Sequence, residues 1–204
     1  MDRLEAIFSV IPECEVLADV GCDHGKLTRR VALSGRAKKV IATDISQACL
    51  NKAMELNADL DNVEYSVGDG LKALQGKKCD VVVLSGMGGN TMISILSEAP
   101  DATLVLQPQS DVPLLRGFLV DNGYRIVRDF VIFDDGFYYD VMLVQKGDMV
   151  LDDMQRLFGA YYKEPNAELK SKLEILVKKL KTYKATEKNL YIINSALEAL
   201  RWQE

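Results

Sequence analysis

The sequence is poor in the residues that build metal centres and disulfide frameworks. Its 204 residues include one histidine and four cysteines, and no two of the cysteines form a C-x-x-C pair. A zinc site held by cysteine and histidine is therefore not expected. We expect the cysteines to be reduced and mostly buried, and we expect no bound metal.

Long hydrophobic runs are also missing. No apolar run approaches the ~20 residues that a membrane-spanning helix needs. The N-terminus, MDRLEAIFSVIPECE, lacks a basic leader followed by a continuous apolar core. We therefore expect a cytoplasmic protein without a membrane partner. The hydrophobic content of 48% suits one well-buried α/β domain with a small appendage.

The charge is distributed unevenly along the chain. The net charge is -5, with -7 in residues 1–150 and +2 in residues 151–204, which argues against a nucleic-acid-binding protein by bulk charge. The first basic cluster, which few nearby acids balance, is Lys26, Arg29, Arg30, Arg36, Lys38 and Lys39. The second, which a solvated helix face would also explain, is Lys170, Lys172, Lys178, Lys179, Lys181, Lys184 and Lys188.

Strand-like and helix-like patterns alternate from residue 16 to about residue 126. Apolar runs typical of strands cover residues 16–20, 40–44, 63–67, 79–84 and 103–106, and helical patterns cover roughly 25–34 and 46–57. This alternation predicts βαβ units on a parallel sheet. The run 79–84 is apolar throughout, as expected of a central strand that is covered on both faces.

The next segment distinguishes between relatives of this architecture. After a predicted helix over 112–121, two β-rich runs over 124–133 and 137–144 flank the turn Asp134-Asp135-Gly136, which predicts an antiparallel hairpin. Nicotinamide-binding Rossmann domains normally continue with parallel strands. By analogy with known folds, a closing hairpin is typical of S-adenosylmethionine (SAM)-dependent methyltransferases. The predicted fold class is therefore α/β, a Rossmann-like class I methyltransferase fold.

After Gly147 the pattern becomes helical alone. Two apolar stripes of similar length predict an antiparallel helical hairpin packed as a small coiled coil, although one long bent helix would fit equally well. The stripes are Leu169, Leu173, Leu176, Leu180 and Tyr183, then Leu190, Ile193, Leu197 and Leu200. We place the boundary within residues 147–164 and divide the chain into residues 1–150 and 151–204.

The stretch LADVGCDHGKL places two glycines where the first strand turns into the first helix. Glycine lets the backbone approach a ligand, and the helix N-terminus offers free N–H groups. A carboxylate at Asp23 would repel a pyrophosphate but would suit a sulfonium or an α-amino group. The loop therefore favours SAM over NAD, with a purely structural turn as the alternative.

Two further acids end the next two strands. Asp44 stands 19 positions after Gly25, close to the ~20 expected of the acid that binds ribose hydroxyls. Asp69, in Gly68-Asp69-Gly70, is placed to accept a hydrogen bond from an adenine amino group. We expect Asp19, Asp44 and Asp69 to line one crevice at the carboxyl edge of the sheet.

The fourth strand is followed by Ser85-Gly86-Met87-Gly88-Gly89-Asn90. Three glycines in four positions predict a flat ledge for a planar base, or a tight strand-to-helix turn. An Asn-Pro-Pro-aromatic motif is missing here, so any ring that stacks on a base must come from elsewhere. Tyr138 and Tyr139 are candidates, although core positions would also explain both of them.

Several of these motifs occur together in one known family. LADVGCDHGKL, ATDIS, VGDGL, VVVLSGMGGNTMISIL, LVLQPQSDVPLLRGFL and DGFYYDVMLV closely resemble the bacterial tRNA (adenine(22)-N1)-methyltransferase family in order and spacing. The resemblance covers essentially the whole chain and is weakest in the helical tail. It implies a SAM-dependent enzyme that methylates N1 of an adenine, at position 22, in tRNA.

The resemblance also implies roles for individual residues. Asp23 and His24 would border the reacting centre as catalytic residues. The implied cofactor-binding residues are Asp19, Gly21, Asp23, Asp44, Ile45, Asp69, Gly70, Gly86, Met87 and Gly88. The residues expected to contact RNA are Lys26, Arg29, Arg30 and Lys179.

The sequence departs from the family where Gly25-Lys26 replaces a small residue and an aromatic, and where Leu27-Thr28 replaces a common Leu-Pro. Lys26 therefore puts the packing of the target base in question. Two other functions stay open: a methyltransferase acting on another RNA position or on a small molecule, and a non-catalytic SAM- or RNA-binding module. We expect a monomer or a weak dimer.

Overall fold

The computed structural model describes residues 1–97 and 100–203 and is built around a seven-stranded sheet. The strands are β1 (Cys14–Val20), β2 (Ala37–Asp44), β3 (Val63–Val67), β4 (Val81–Met87), β5 (Thr103–Pro108), β6 (Tyr124–Asp134) and β7 (Phe137–Lys146). Their order in the sheet is β3-β2-β1-β4-β5-β7-β6. The first five strands are parallel, and β7 runs antiparallel to both β5 and β6. The predicted fold class is confirmed.

Helices cover both faces of this sheet. They are α1 (Arg3–Ser9), α2 (Lys26–Ser34), α3 (Gln47–Leu56), α4 (Gly89–Leu96), α5 (Val112–Asp121), α6 (Asp153–Phe158), α7 (Ala167–Leu180) and α8 (Glu187–Leu200), with 3-10 turns at Gly70–Leu74 and Arg201–Gln203. Apolar side chains of α1 and α2 pack on one face, and those of α4 and α5 pack on the other. Over residues 1–97 and 100–203, no helix combines the length and the apolar character needed to span a bilayer.

The predicted elements match the structure most closely where a turn signal marks their ends. The predicted strand over 63–67 and helix over 112–121 have the bounds of β3 and α5. The Ser46 hydroxyl accepts a hydrogen bond from the backbone N–H of Cys49 and so caps α3, at the start of the helical pattern predicted over 46–57.

The prediction for the fourth strand, over 79–84, is wrong at both ends. Strand β4 begins at Val81 and continues to Met87, because Ser85 and Met87 still pair with β5 across a register shift. Gly86 occupies this irregularity at a φ of 77°. The glycine segment therefore begins inside the strand instead of following it.

The tail forms a helical hairpin and not one bent helix. The backbone N–H of Asn166, before α7, donates to Oε1 of Gln203, which follows α8, at 2.8 Å. The start of one helix therefore lies beside the end of the other, as in an antiparallel pair. The short helix α6, which a capping box between Asp152 and Gln155 begins, was not predicted.

Part of the predicted apolar stripe is wrong. Leu190 and Leu197 are 48% and 41% exposed, whereas Ile193, Ala196 and Ala199 are buried. The buried side of α8 faces a core that it shares with α7 and with three residues outside the helical pair, Val131, Phe158 and Tyr162. Small alanine side chains allow this close packing, so the largest apolar residues do not mark the inward face.

The expectation for the cysteines is confirmed only in part. All four are free thiols, but only Cys22 is buried, while Cys14, Cys49 and Cys79 are half-buried. Cys14 begins β1 and Cys79 precedes β4. Both therefore lie at the amino edge of the sheet, where the helical layers cover it less completely.

Candidate active site

A cavity of about 380 Å³ opens at the carboxyl edge of β1 and β4. The end of β1, the following loop and the start of α2 supply Asp19, Gly21, Cys22, Asp23, His24, Lys26 and Leu27 to its wall. The other lining residues are Arg3, Leu4, Ser85, Gly86 and Gln109. Carboxyl ends of parallel strands are the usual place for ligands in such sheets. The structure therefore brings together the predicted residues around the first loop and Gly86, near the end of β4.

The first loop owes its tight path to residues at positive φ. Gly25 adopts a φ of 71°, and a Cβ added there would lie 2.8 Å from the Cβ of Ala53 on α3. Asp23 adopts a φ of 49° without being glycine, a conformation that aspartate tolerates better than most residues. A residue held in this sparsely populated region is a feature found often at functional sites.

Asp19 is a buried acid at the end of β1. It is 2% exposed, and the Thr28 hydroxyl donates a hydrogen bond to its Oδ2 at 2.6 Å. Burial raises the pKa of Asp19 to about 6, and the hydrogen bond from Thr28 opposes that rise. Among the residues that the structure describes, no basic side chain forms an ion pair with it. A carboxylate in this environment favours a cationic ligand in the cavity.

Asp44 holds the loop in place from the end of β2. Its Oδ2 accepts a hydrogen bond from the backbone N–H of Asp23 at 3.0 Å, and its Oδ1 accepts one from the N–H of Ser46 at 2.8 Å. The Asp44 carboxylate does not line the cavity, but it holds the backbone of Asp23, which does. Ile45, next to it, is 73% exposed.

The expectation that Asp19, Asp44 and Asp69 line one crevice is wrong for Asp44 and Asp69, neither of which lines this cavity. Asp69 and Gly70 line a separate depression of about 170 Å³ with Ser94 and Ile95 of α4. The 3-10 turn that follows β3 packs beside α4, so its residues face that helix. The structure therefore brings Asp19 and Asp23 together at one cavity and leaves Asp69 in another.

The last two glycines of the glycine segment pack closely against Ser110. A Cβ added at Gly89 would lie 2.7 Å from the carbonyl oxygen of Ser110, and one added at Gly88 would lie 2.9 Å from the Ser110 hydroxyl. The Met87 side chain reaches Gly21. Of the three glycines, Gly86 alone lines the cavity. A tight strand-to-helix turn therefore describes Gly88 and Gly89 better than a flat ledge does.

His24 lies between an acid and an amine. Its Nε2 is 3.6 Å from Oδ1 of Asp23 and 3.2 Å from Nζ of Lys52 on α3. An ammonium group can only donate a hydrogen bond, so Nε2 of His24 is the acceptor in the contact with Lys52. Asp23 itself has a 72% exposed side chain, so its carboxylate is open to a ligand.

One arrangement here has the ligand atoms of a metal site. A carboxylate oxygen of Asp23, a ring nitrogen of His24 and the Sγ of Cys49 lie within 4.8 Å of one another. The Lys52 ammonium beside His24 opposes a second positive charge at that point. The expectation that no metal binds stays a prediction.

The first basic cluster is largely balanced by acids from distant parts of the chain. Both terminal nitrogens of Arg29 donate to the Asp59 carboxylate, and Arg30 pairs with Glu5. Arg36 donates to two backbone carbonyls of the N-terminal segment, and Lys38 and Lys39 pair with Glu15 and Glu64. The interpretation that few acids balance this cluster is therefore wrong. Lys26 lines the cavity, and Lys179 is exposed at the end of α7.

Sequence reasoning missed four residues of this site. Arg3 and Lys52 come from segments in which no motif was recognised, and Gln109 lies in LVLQPQSDVPLLRGFL, where it was given no role. Only the folded chain places these three residues beside the first loop. Gln107 is buried behind Gly86 and accepts a hydrogen bond from its backbone N–H at 3.2 Å. The repeated glutamines in Gln107-Pro108-Gln109 were a signal that could have drawn attention to β5.

The comparisons with known proteins agree with this geometry. Residues 1–142 match the family model described as a methyltransferase domain. The tRNA (adenine(22)-N(1))-methyltransferase of Bacillus subtilis (strain 168) is 27% identical over 154 residues, which are 72% of this chain and 65% of that protein. The matched region therefore spans just under two thirds of that relative.

Solved structures extend the likeness to the tail. A Streptococcus pneumoniae protein described as a candidate tRNA (m1A22) methyltransferase, solved with S-adenosyl-L-methionine, is 27% identical with a TM-score of 0.92 over 98% of this chain and 100% of its own. M. capricolum TrmK, solved with S-adenosyl-homocysteine, shares the fold at 23% identity and a TM-score of 0.89 over 99% of this chain and 98% of its own. The resemblance seen in the sequence motifs is confirmed, and the chain belongs to the methyltransferase domain family.

Proposed function

We propose that the protein is a SAM-dependent methyltransferase that methylates N1 of an adenine in tRNA, at position 22. The observation that carries the proposal is the cavity at the carboxyl edge of β1 and β4, where Asp19 and Asp23 face a glycine turn. The activity in the name of the Bacillus subtilis relative, and the cofactor bound to the Streptococcus pneumoniae protein, support it.

The residues of the cavity suit this cofactor. Its wall offers two carboxylates, which attract a sulfonium and an α-amino group and repel the pyrophosphate of a dinucleotide. Gly21 and Gly86 leave the backbone open on two sides of the same space. When bound there, SAM supplies a methyl group that is activated by its positively charged sulfur. We assign the ribose to Asp44 and Ile45, and the edge of the adenine to Asp69 and Gly70, which line the separate depression. This assignment requires the bound cofactor to extend from the cavity to that depression.

The chain's own residues would act by position and charge. Adenine N1 already has a lone pair, so the protein must align it with the methyl group and offset the positive charge that develops on the ring. Asp23 is placed for this because its carboxylate is exposed into the cavity. His24, whose Nε2 accepts from Lys52, would orient Asp23 or the base.

A base in folded RNA must leave its stack to enter the cavity, at a cost of roughly a few kcal/mol. Lysines that contact phosphates can offset that cost, with a contribution that falls as salt rises. Lys26 at the cavity and Lys179 on the tail are placed for such contacts, and Arg29 and Arg30 lie nearby on α2. In this scheme residues 1–150 carry the chemistry and residues 151–204 bind tRNA, in a monomer or a weak dimer.

Transfer of label tests the function directly. The purified protein is incubated with radiolabelled SAM and unmodified bulk tRNA, and the digested nucleosides are separated. We expect label in N1-methyladenosine. Label in another nucleoside would point to a different RNA position, and SAM binding without label would point to a non-catalytic module.

Asp23→Asn tests the catalytic role within the active protein. Asparagine tolerates the same left-handed backbone, so the change removes the charge and keeps the loop. We expect kcat to fall by about 100-fold or more, as on loss of one stabilising group in other enzymes. Asp61→Asn removes one charge from an exposed loop and serves as the control. Equal kcat values for the two variants would contradict the assigned role.

A further inference from the structure

The tip of the β6–β7 hairpin carries aromatic side chains on both of its faces. The two strands are joined by Asp135 and Gly136, whose φ values of 45° and 83° form a tight two-residue turn. Strand β7 runs antiparallel to β5, with Met142 opposite Leu106 and Val144 opposite Leu104. The beginning of β7 therefore lies at the carboxyl end of β5. The tip therefore projects beyond the same edge that holds the cavity.

Phe137 and Tyr139 form what we call the aromatic pair. They are two residues apart on β7 and so share one face of the hairpin. Phe137 is 64% exposed, Tyr139 is half-buried, and their ring centroids are 6.4 Å apart. Exposed rings of this size on a rigid turn present flat apolar surface to solvent.

Arg3 joins the aromatic pair to the cavity. Its guanidinium carbon lies 5.4 Å from the centroid of the Tyr139 ring, and its backbone N–H donates to the Asp134 carboxylate at 3.0 Å. The same arginine lines the cavity together with Asp23 and His24. The aromatic surface and the cavity are therefore continuous through one cationic side chain.

The cavity itself offers one small ring, the His24 imidazole, which contacts Lys52. Among the other lining residues in the described parts of the chain, none is aromatic. A nucleic acid drawn to this edge would find larger rings on the hairpin. Aromatic rings and a guanidinium are the groups that stack on unpaired bases. Asp134 and Asp135 at the tip would repel a bare phosphate backbone, which favours contact through a base.

We propose that Phe137, Tyr139 and Arg3 bind an unpaired base of the RNA that flanks the target adenine. The inference rests on the proposed function, because it takes RNA as the substrate of the cavity. Phe137 supplies the exposed ring, and Arg3 supplies the cation above Tyr139. Stacking of the flanking base holds the strand while the target adenine enters the cavity.

The opposite face of the hairpin supplies a matched control. Phe133 is 50% exposed, and its ring lies 4.9 Å from that of Tyr138, centroid to centroid, at an angle of 50°. Tyr138 packs with the tail helices, so this second aromatic pair lies on the other face. Phe133→Ala and Phe137→Ala remove the same side chain at nearby exposed sites.

Steady-state kinetics separate the two faces. For Phe137→Ala we expect KM for unmodified tRNA to rise about tenfold, the range of one lost base stack, with kcat and KM for SAM within about twofold of wild type. Phe137→Trp should restore KM. Phe133→Ala should match wild type, and thermal unfolding checks that each variant is folded. Equal KM values for the two alanine variants would overturn the inference.

Fluorescence of a short single-stranded RNA that contains 2-aminopurine gives a readout independent of methyl transfer. Stacking quenches this base, so wild type and Phe133→Ala should quench it and Phe137→Ala should not. An active protein with equal quenching by all three would overturn the stacking role and leave the proposed function intact. A wild type that methylates no tRNA would overturn the proposed function, and the quenching would still decide whether the hairpin stacks a base.

Discussion

Burial disfavours the ionised form of the Asp19 carboxyl. The pKa of this carboxyl is about 6 in the folded protein against a reference value of 3.8, and burial is the larger cause. The folded state therefore holds the proton more tightly than the unfolded chain does. The contribution of Asp19 to stability is then greatest below about pH 4 and falls as the pH rises through about 6. A binding site for a cation is a reason to keep such a charge.

Asp19→Asn tests this cost. Asparagine keeps an oxygen for the Thr28 hydroxyl and removes the charge. We expect the free energy of unfolding to rise by about 3 kcal/mol at about pH 8, with the gain shrinking toward zero near pH 4. Urea unfolding at the two pH values measures it.

The same variant should lose affinity for SAM by calorimetry, since the carboxylate is assigned to the cofactor. A gain in stability that did not change between the two pH values would contradict the assigned pKa. Unchanged SAM affinity would contradict the assigned role of Asp19.

The acids at the strand ends could be predicted from the sequence, but the side chains that lie beside them in the folded protein could not. Asp19 and Asp23 follow from a strand, a glycine turn and a charge argument, all within seven residues of chain. Lys52 contacts His24 across 28 positions, and Arg3 reaches the cavity from the first helix. Nothing local in the sequence around these two residues distinguishes them from other surface cations.

At the scale of elements, a buried ionic network fixes α5 and the tail to the hairpin. Arg116 of α5 is 1% exposed and donates to both oxygens of Asp129 on β6 at 2.8 and 3.0 Å, and to Asp140 on β7 at 2.9 Å. Lys172 of α7 also pairs with Asp140. Burial alone would raise the pKa of Asp140, but Lys172 and Arg116 together lower it. The network therefore connects α5, β6, β7 and α7.

Arg116→Met should destabilise the protein because it removes the positive charge that pairs with the buried carboxylates of Asp129 and Asp140. We expect the free energy of unfolding to fall by about 3–5 kcal/mol, as for other broken buried ion pairs. Arg125→Met changes an exposed arginine of β6 and should stay within about 0.5 kcal/mol of wild type. Urea unfolding of both variants measures the difference. Equal losses would show that the network contributes no more than a surface charge.

At the scale of the whole molecule, the candidate site and the aromatic pair share one edge of the sheet. The cavity and the aromatic pair lie at the carboxyl ends of the parallel strands, while Cys14, Asp80 and Thr103 mark the amino ends. The tail packs on the hairpin through Val131 and Tyr138. The tail therefore holds the lysines of α7 close to the hairpin, whose tip lies at the carboxyl edge of the sheet.

Lys179→Ala tests whether the tail binds tRNA through phosphates. We expect weaker tRNA binding, most evident at lower salt, and a plot of log K against log salt that is less steep by up to about 1. Lys78→Ala removes one exposed lysine that precedes β4, on the opposite edge, and should leave binding unchanged. Filter binding over a range of salt concentrations measures both. An equal effect of the two variants would favour bulk charge over a tail contact.

The sequence by itself determined the alternation of strands and helices over residues 16–126, the closing hairpin and the acids of the first loop. The hydrophobic period, the turn residues and the helix caps each depend on a few neighbouring positions, so they can be recognised in the sequence. Only the tertiary structure decided which of those acids share a cavity, which basic residues are neutralised and which side of α8 is buried. These depend on close packing and on contacts between distant segments, as in Arg29 with Asp59 and Arg116 with Asp140.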